Sequence, residues 1–137
     1  MVRGRSLVPG EASGTLLRLT HPISFWGGVD PVAGEIVDPR HPQFGARLEG
    51  RVLAIPSAVG SSSSSAIMLE LLREGTAPAA ILMGRADAIL ALGAVVAGEL
   101  GYDTIPVVEI DPEAMASLPD GSTVEVRRDG AVEVRSN

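Results

Sequence analysis

Gly60 and five consecutive serines, Ser61 to Ser65, lie between the apolar run Val52-Leu53-Ala54-Ile55 and a periodic apolar segment, Ala66 to Glu74. Serine favours helix N-termini, where its hydroxyl accepts from backbone N–H groups that have no intrahelical partner, and glycine permits a sharp turn and close approach to a ligand. Strand, glycine turn and helix start together describe an anion-binding turn. Backbone N–H groups and the positive end of the helix dipole converge there on a carboxylate, a phosphate or an alkoxide. A flexible linker or a helix cap without chemistry are the other readings of a serine run. An acyl-transfer nucleophile is disfavoured, because its elbow needs a glycine after the serine and Gly60-Ser61-Ser62-Ser63-Ser64 ends in serine, with no His or Lys nearby to activate it. A Walker-type loop lacks both its glycine spacing and its lysine.

The rest of the chain limits what such a turn can do. Its 137 residues, 45% hydrophobic and only 3% aromatic, suit one domain, 1–137, around an aliphatic core. The net charge of −6, with no basic cluster beyond Arg127-Arg128, argues against nucleic acid and against anionic membranes. Cysteine is absent and all 11 basic residues are Arg. Schiff-base chemistry, cysteine nucleophiles, zinc–cysteine sites and cysteine-held iron–sulfur clusters are therefore beyond this chain's own side chains. Met1-Val2-Arg3-Gly4-Arg5 lacks a signal peptide's apolar region and no apolar run approaches membrane-spanning length, so a cytoplasmic location is expected.

The elements that must position the turn follow from pattern. Arg3 to Val8 and Gly14 to Leu19 read as short strands about the Pro9-Gly10 turn. His21 to Gly28 contains the only Trp, Trp26, and reads either as packing or as a partner surface. Gly28 to Asp38 should form an irregular hairpin about Pro31 to Gly34. Its Asp30, Glu35 and Asp38 lack the dense oxygen ligands of a calcium loop, and turn capping accounts for them. His21 and His41 have no metal-ligand spacing and default to structural roles. Val52 to Ile55, Ala79 to Met83 and Ile105 to Val108 read as strands, separated by a helix ending at Gly75 and another over Ala86 to Leu100. That is a β-α-β-α-β run of parallel strands. The second helix carries a small-residue stripe, Ala88, Ala91, Ala94 and Ala97, which lets a neighbour pack close. Val124 to Val134 alternates as an antiparallel hairpin about Asp129-Gly130.

Five blocks in order, Gly27-Gly28-Val29-Asp30-Pro31, Asp38-Pro39-Arg40-His41-Pro42, Gly60-Ser61-Ser62-Ser63, Gly75-Thr76-Ala77-Pro78-Ala79-Ala80 and Ile89-Leu90-Ala91-Leu92-Gly93-Ala94, resemble the aconitase X small subunit. The resemblance covers nearly the whole chain. It implies an α/β fold of the swivelling β/β/α type, which closes over an iron-bearing large subunit, and a lyase that removes water from a hydroxy-carboxylate. By position, the proton acceptor falls on Ser61, and Gly60, Ser62, Ser63 and Ser65 line the same turn as substrate-binding residues. No metal ligand is implied in this chain; the iron or iron–sulfur centre belongs to the large subunit.

A serine base makes a physical demand. Each pKa unit by which the alkoxide is stabilised corresponds to about 1.4 kcal/mol, and a helix N-terminus supplies at most roughly 2 kcal/mol. The remainder must come from the partner and from exclusion of water, so the isolated chain should be inert. Two positions depart from the family's pattern: Val59 stands where a basic residue is common, and Ser64 where glycine is frequent. Of the family's substrates, cis-3-hydroxy-L-proline is favoured over mevalonate 5-phosphate, on the blocks Pro56-Ser57 and Asp87 to Gly93 and on the lack of a basic residue for a phosphate. A non-catalytic swivel or docking module that binds an anion is the alternative from another class. Trp26 and the alanine stripe are both candidates for the large-subunit contact.

Overall fold

The computed structural model describes residues 1–57, 63–85 and 87–135. An extended opening segment in two parts, β1 (Val2–Arg3) and β2 (Arg5–Val8), leads to β3 (Ala12–Arg18), a short kinked α1 (Phe25–Gly28) and a small hairpin of β4 (Val29–Asp30) and β5 (Glu35–Ile36). Then follow β6 (Val52–Ile55), α2 (Ser63–Glu74), β7 (Ala80–Met83), α3 (Ala88–Glu99) and β8 (Val107–Glu109). A short α4 (Pro112–Ser117) and the hairpin of β9 (Thr123–Val126) and β10 (Ala131–Arg135) complete the order.

The strands of the main sheet run β1-β10-β9-β3-β6-β7-β8-β2. β6, β7 and β8 are parallel, as their continuous apolar runs imply for strands covered on both faces. β3 joins two kinds of pairing: Ala12 to Thr15 lie antiparallel to β9, and Leu16 to Arg18 parallel to β6. The opening segment closes the circuit, because β1 pairs with β10 and β2 with β8. Gly4 makes that hand-over, donating its N–H to Gly130 O at 3.0 Å. A Cβ on Gly4 would lie 2.3 Å from Val108 Cγ1, so the crossing requires glycine.

Strand alternation sorts the core into two clusters. Leu53, Ile55, Ile81 and Met83 face the helices and pack with Met68, Leu71, Leu90 and Ala94. Val52, Ala54, Ala80 and Leu82 face the opposite way, against Val124, Val126, Val132, Met115 and Leu118. The result is helices, parallel sheet and antiparallel sheet in three layers, the β/β/α arrangement that the resemblance implies. A one-residue slip of β6 or β7 would exchange the two clusters, which pins the register.

The helix read over Ala86 to Leu100 is α3. It is apolar on every side, and three residues of its alanine stripe turn inward: Ala91, Ala94 and Ala97 are buried, while Ala88 at its start is exposed, as are Ile89, Leu92 and Val95. Close packing by small residues thus serves the chain's own α2. The tightest point is Gly93, where a Cβ would lie 2.5 Å from Ser65 O and 2.7 Å from Met68 Cβ. Asp87 starts α3, its Oδ1 accepting from Ile89 N at 2.9 Å and Leu90 N at 3.2 Å. Asp87→Ala should cost about 1 kcal/mol of unfolding free energy, measured by urea titration, with the slope unchanged.

α4 was not expected from the sequence. Its start is nevertheless written there, in Asp111, whose Oδ2 accepts from Ala114 N at 3.4 Å, and in Pro112 at the first turn.

Candidate active site at the carboxyl edge of the parallel strands

In an open parallel arrangement, the loops that leave the carboxyl ends of the strands share one edge, and ligands bind there. Here that edge gathers Leu19 and Thr20 after β3, Pro56 and Ser57 after β6, Gly84 and Arg85 after β7, and Ile110 to Pro112 after β8. Main-chain bonds lock the exits together. Leu19 N donates to Ala54 O at 2.8 Å, Gly84 N to Ile55 O at 3.0 Å and Ile110 N to Met83 O at 2.8 Å.

Pro56 and Ser57 at this edge lead toward the serine run, and α2 begins within it at Ser63. Gly60, Ser61 and Ser62 lie outside the described residues; Ser63 and Ser65 stand half-buried in the first turn of α2, on either side of the buried Ser64. α2 runs unbroken for 12 residues, so its positive end is directed at the strand exits. Gly93 of α3 presses on the main chain at Ser65, and this contact fixes where the serine end of α2 sits.

The loop after β3 is tied to the exit of β6, with Ile23 N donating to Ser57 O at 3.4 Å. Within that loop His41 is buried, and both ring nitrogens are engaged: Nδ1 accepts from Gln43 N at 3.0 Å, leaving Nε2–H for His21 O at 3.2 Å. His21 has Thr20 Oγ1 at 2.8 Å from its Nδ1. His41 thus serves to hold the loop through both ring nitrogens. Asp30 Oδ1 accepts from Val32 N at 2.9 Å, and Asp38 Oδ1 from Arg40 N at 3.0 Å, so these carboxylates cap turns. The Arg40 N–H, seconded by its guanidinium, holds the Asp38 carboxyl below its ordinary range. Phe25 is fully buried and its neighbour Trp26 is exposed.

Arg18 was not singled out by sequence reasoning. It ends β3 and lines a cavity of about 220 Å³ with Thr20, Pro56, Pro112, Met115 and Ala116. Its Nε is buried without a hydrogen-bond partner among the described residues. A lone arginine at the end of an apolar strand carries no local signal; only the pairing of β3 with β6 brings it beside the segment that leads into the serine turn. A larger hollow of about 450 Å³ lies at the amino edge, among the turns that enter β7 and β8, and none of Ser63, Ser64 and Ser65 lines it.

The donor set does not fit a metal or an iron–sulfur centre: the chain has no cysteine, and among the described residues no three His, Asp or Glu side chains are grouped to hold an ion. No helix among the described residues is long and apolar enough to cross a membrane.

Comparison with known proteins agrees with this architecture. The aconitase X swivel domain family matches residues 1–134. Cis-3-hydroxy-L-proline dehydratase of Pseudomonas aeruginosa is 47% identical over 132 residues, covering 91% of this chain but only 23% of that protein. The phosphomevalonate dehydratase small subunit of Thermococcus onnurineus is 40% identical over 135 residues, covering 97% of each chain. The crystal structure of Thermococcus kodakaraensis aconitase X in its holo form superposes with a TM-score of 0.88 at 33% identity, over 98% of both chains. A closed β/β/α fold with a serine-led helix at its carboxyl edge, together with this match along nearly its whole length, means that the chain belongs to the aconitase X swivel domain family.

Proposed function

We propose that this chain is the small subunit of a hydro-lyase that dehydrates cis-3-hydroxy-L-proline, with Ser61 as the general base and an iron-bearing large subunit as its partner. The observation that carries the substrate is the 47% identity to the Pseudomonas aeruginosa dehydratase, against 40% for the Thermococcus onnurineus phosphomevalonate dehydratase small subunit. The chain spans less than a quarter of the former, at 23% of its length, and the missing portion is what the proposed large subunit supplies. Within the complex, this chain's part is limited to what its side chains can do. Gly60, Ser62, Ser63 and Ser65 shape the turn and bind substrate; Ser61 takes the proton α to the carboxylate as the C–O bond on the neighbouring carbon breaks, and the hydroxide released there and the proton held by Ser61 together make up the one water lost.

The second reading is mevalonate 5-phosphate. One observation favours it: the small subunits of that enzyme match this chain end to end, over 97% of each in the Thermococcus onnurineus case. The deciding experiment is turnover by the chain purified with its large subunit, offered each substrate in turn. Dehydration of cis-3-hydroxy-L-proline, with the chain alone inactive, is the expected result; dehydration of mevalonate 5-phosphate alone would reverse the assignment. No turnover of either by an intact iron-loaded complex would leave the docking module as the better reading.

A further inference from the structure

The stretch from Pro56 to Ser65 contains no basic residue, so a substrate carboxylate brought to this turn needs its positive charge from elsewhere. We propose that the cavity at the ends of β3, β6 and α4 receives the carboxylate of the substrate, and that the Arg18 guanidinium pairs with it. The inference rests on the dehydratase reading for the identity of the substrate, and on geometry for the site.

Three observations carry it. The cavity is built from segments that leave the carboxyl ends of three strands, with Arg18 and Thr20 from β3, Pro56 from β6 and Pro112 with Met115 after β8. Arg18 lines the cavity, and its Nε is buried with no hydrogen-bond partner among the described residues, so the guanidinium is not already committed through that atom. Other arginines already have carboxylates: Arg3 pairs with Asp129, Arg5 with Glu109, Arg40 with Asp38, Arg73 with Glu70, and Arg127 and Arg135 with Glu125. Arg18, like Arg47, Arg51, Arg85 and Arg128, has no such ion pair among the described residues, and of these five it is the one that lines the cavity. The nearby Asp120 carboxylate is occupied by the Arg18 main chain, accepting from its N–H at 2.8 Å. The planar fork of arginine matches a carboxylate through two parallel bonds, which a lysine cannot reproduce. At about 220 Å³ the cavity suits the carboxyl end of a small amino acid rather than a large ligand.

The test has a binding arm and a kinetic arm. The Nε–H resonance of Arg18, assigned by its loss in Arg18→Gln, is followed while L-proline or prolinamide is added to the nitrogen-15-labelled chain, alone and within the two-subunit complex. A saturable shift with L-proline and none with prolinamide is expected. In the complex, Arg18→Gln should raise KM for cis-3-hydroxy-L-proline by about 10- to 100-fold with kcat little changed, and Arg18→Lys should recover part of it. A resonance silent to L-proline in both forms, an equal response to prolinamide, or an unchanged KM overturns the proposal. A resonance that responds in a complex without turnover keeps the carboxylate site and overturns the dehydratase reading instead.

Discussion

Ser61→Ala, in the complex with the large subunit, should lower kcat for dehydration by about 10²- to 10⁴-fold, the range that removal of a positioned general base produces. KM should move little, because the hydroxyl contributes to the transition state in which the proton is transferred more than to the bound ground state. Iron content, association of the subunits and the far-ultraviolet circular dichroism of the mutant are the controls, since all three should match the wild type. An alanine variant with full activity would place the base elsewhere and reduce the serine turn to a binding or capping element. The physical reason to expect a large effect is the scarcity of alternatives. The chain has no lysine and no cysteine, and of its two histidines His41 has both ring nitrogens committed to local partners, while His21 has Thr20 Oγ1 at its Nδ1.

Gly93→Leu should damage both stability and activity, and it tests how the serine helix is held. Even a methyl group at this position would meet Ser65 O at 2.5 Å and Met68 Cβ at 2.7 Å, so the two helices must separate or the side chain must strain. Overpacking of this kind costs about 3 kcal/mol for leucine. Gly93→Ala should cost less, about 1 kcal/mol, because alanine's better helix propensity returns roughly 1 kcal/mol. Urea titration gives both values. Turnover by the complex separates two effects, since a displaced α2 moves the serine end away from the strand exits even where the variant remains folded. A Gly93→Leu chain as stable as the wild type would mean that α2 and α3 are not held at this contact.

The two predictions draw on different parts of the sequence, and they show where a sequence is legible. The β6-α2-β7-α3-β8 run could be read because each element is local: apolar runs of strand length, a helix that stops at Gly75, Asp87 ahead of the next one. The hairpin of β9 and β10 followed from alternation about Asp129-Gly130. The face of α3 could not be read, because a helix apolar on all sides has no periodicity to orient it, and its exposed Ile89, Leu92 and Val95 look no different in sequence from buried residues. α4 was legible in principle from Asp111-Pro112 but is only six residues long, too short for an apolar repeat to show. The division of the opening strand at Gly4 depends on partners that lie more than 100 residues away, as the pairs Arg5↔Glu109 and Val2↔Val132 record. The same distance hides Arg18, which acquires meaning only once β3 lies beside β6. On the functional side, the anion-binding turn was an expectation from residue types, the role proposed for Ser61 came from resemblance and not from spacing, and Gly60 to Ser62 lie outside the described residues.

The hand-over at Gly4 also governs the order in which the molecule can assemble. Residues 2–8 leave the ribosome before their partners do: β2 has none until β8 exists and β1 none until β10 does. The central parallel strands can associate earlier, through contacts of modest sequence separation, whereas the closing strand must wait for the hairpin at the other end of the chain. Folding is therefore limited by a long loop closure, the situation in which non-local β pairing proceeds slowly. During that wait the segment is an unpaired strand, the form most prone to pair with another molecule. Its sequence counters the hazard, since Arg3 and Arg5 flank Gly4 and place two like charges with a flexible break in the middle of the waiting strand. The residue that permits closure in the finished fold thus also protects the chain before closure.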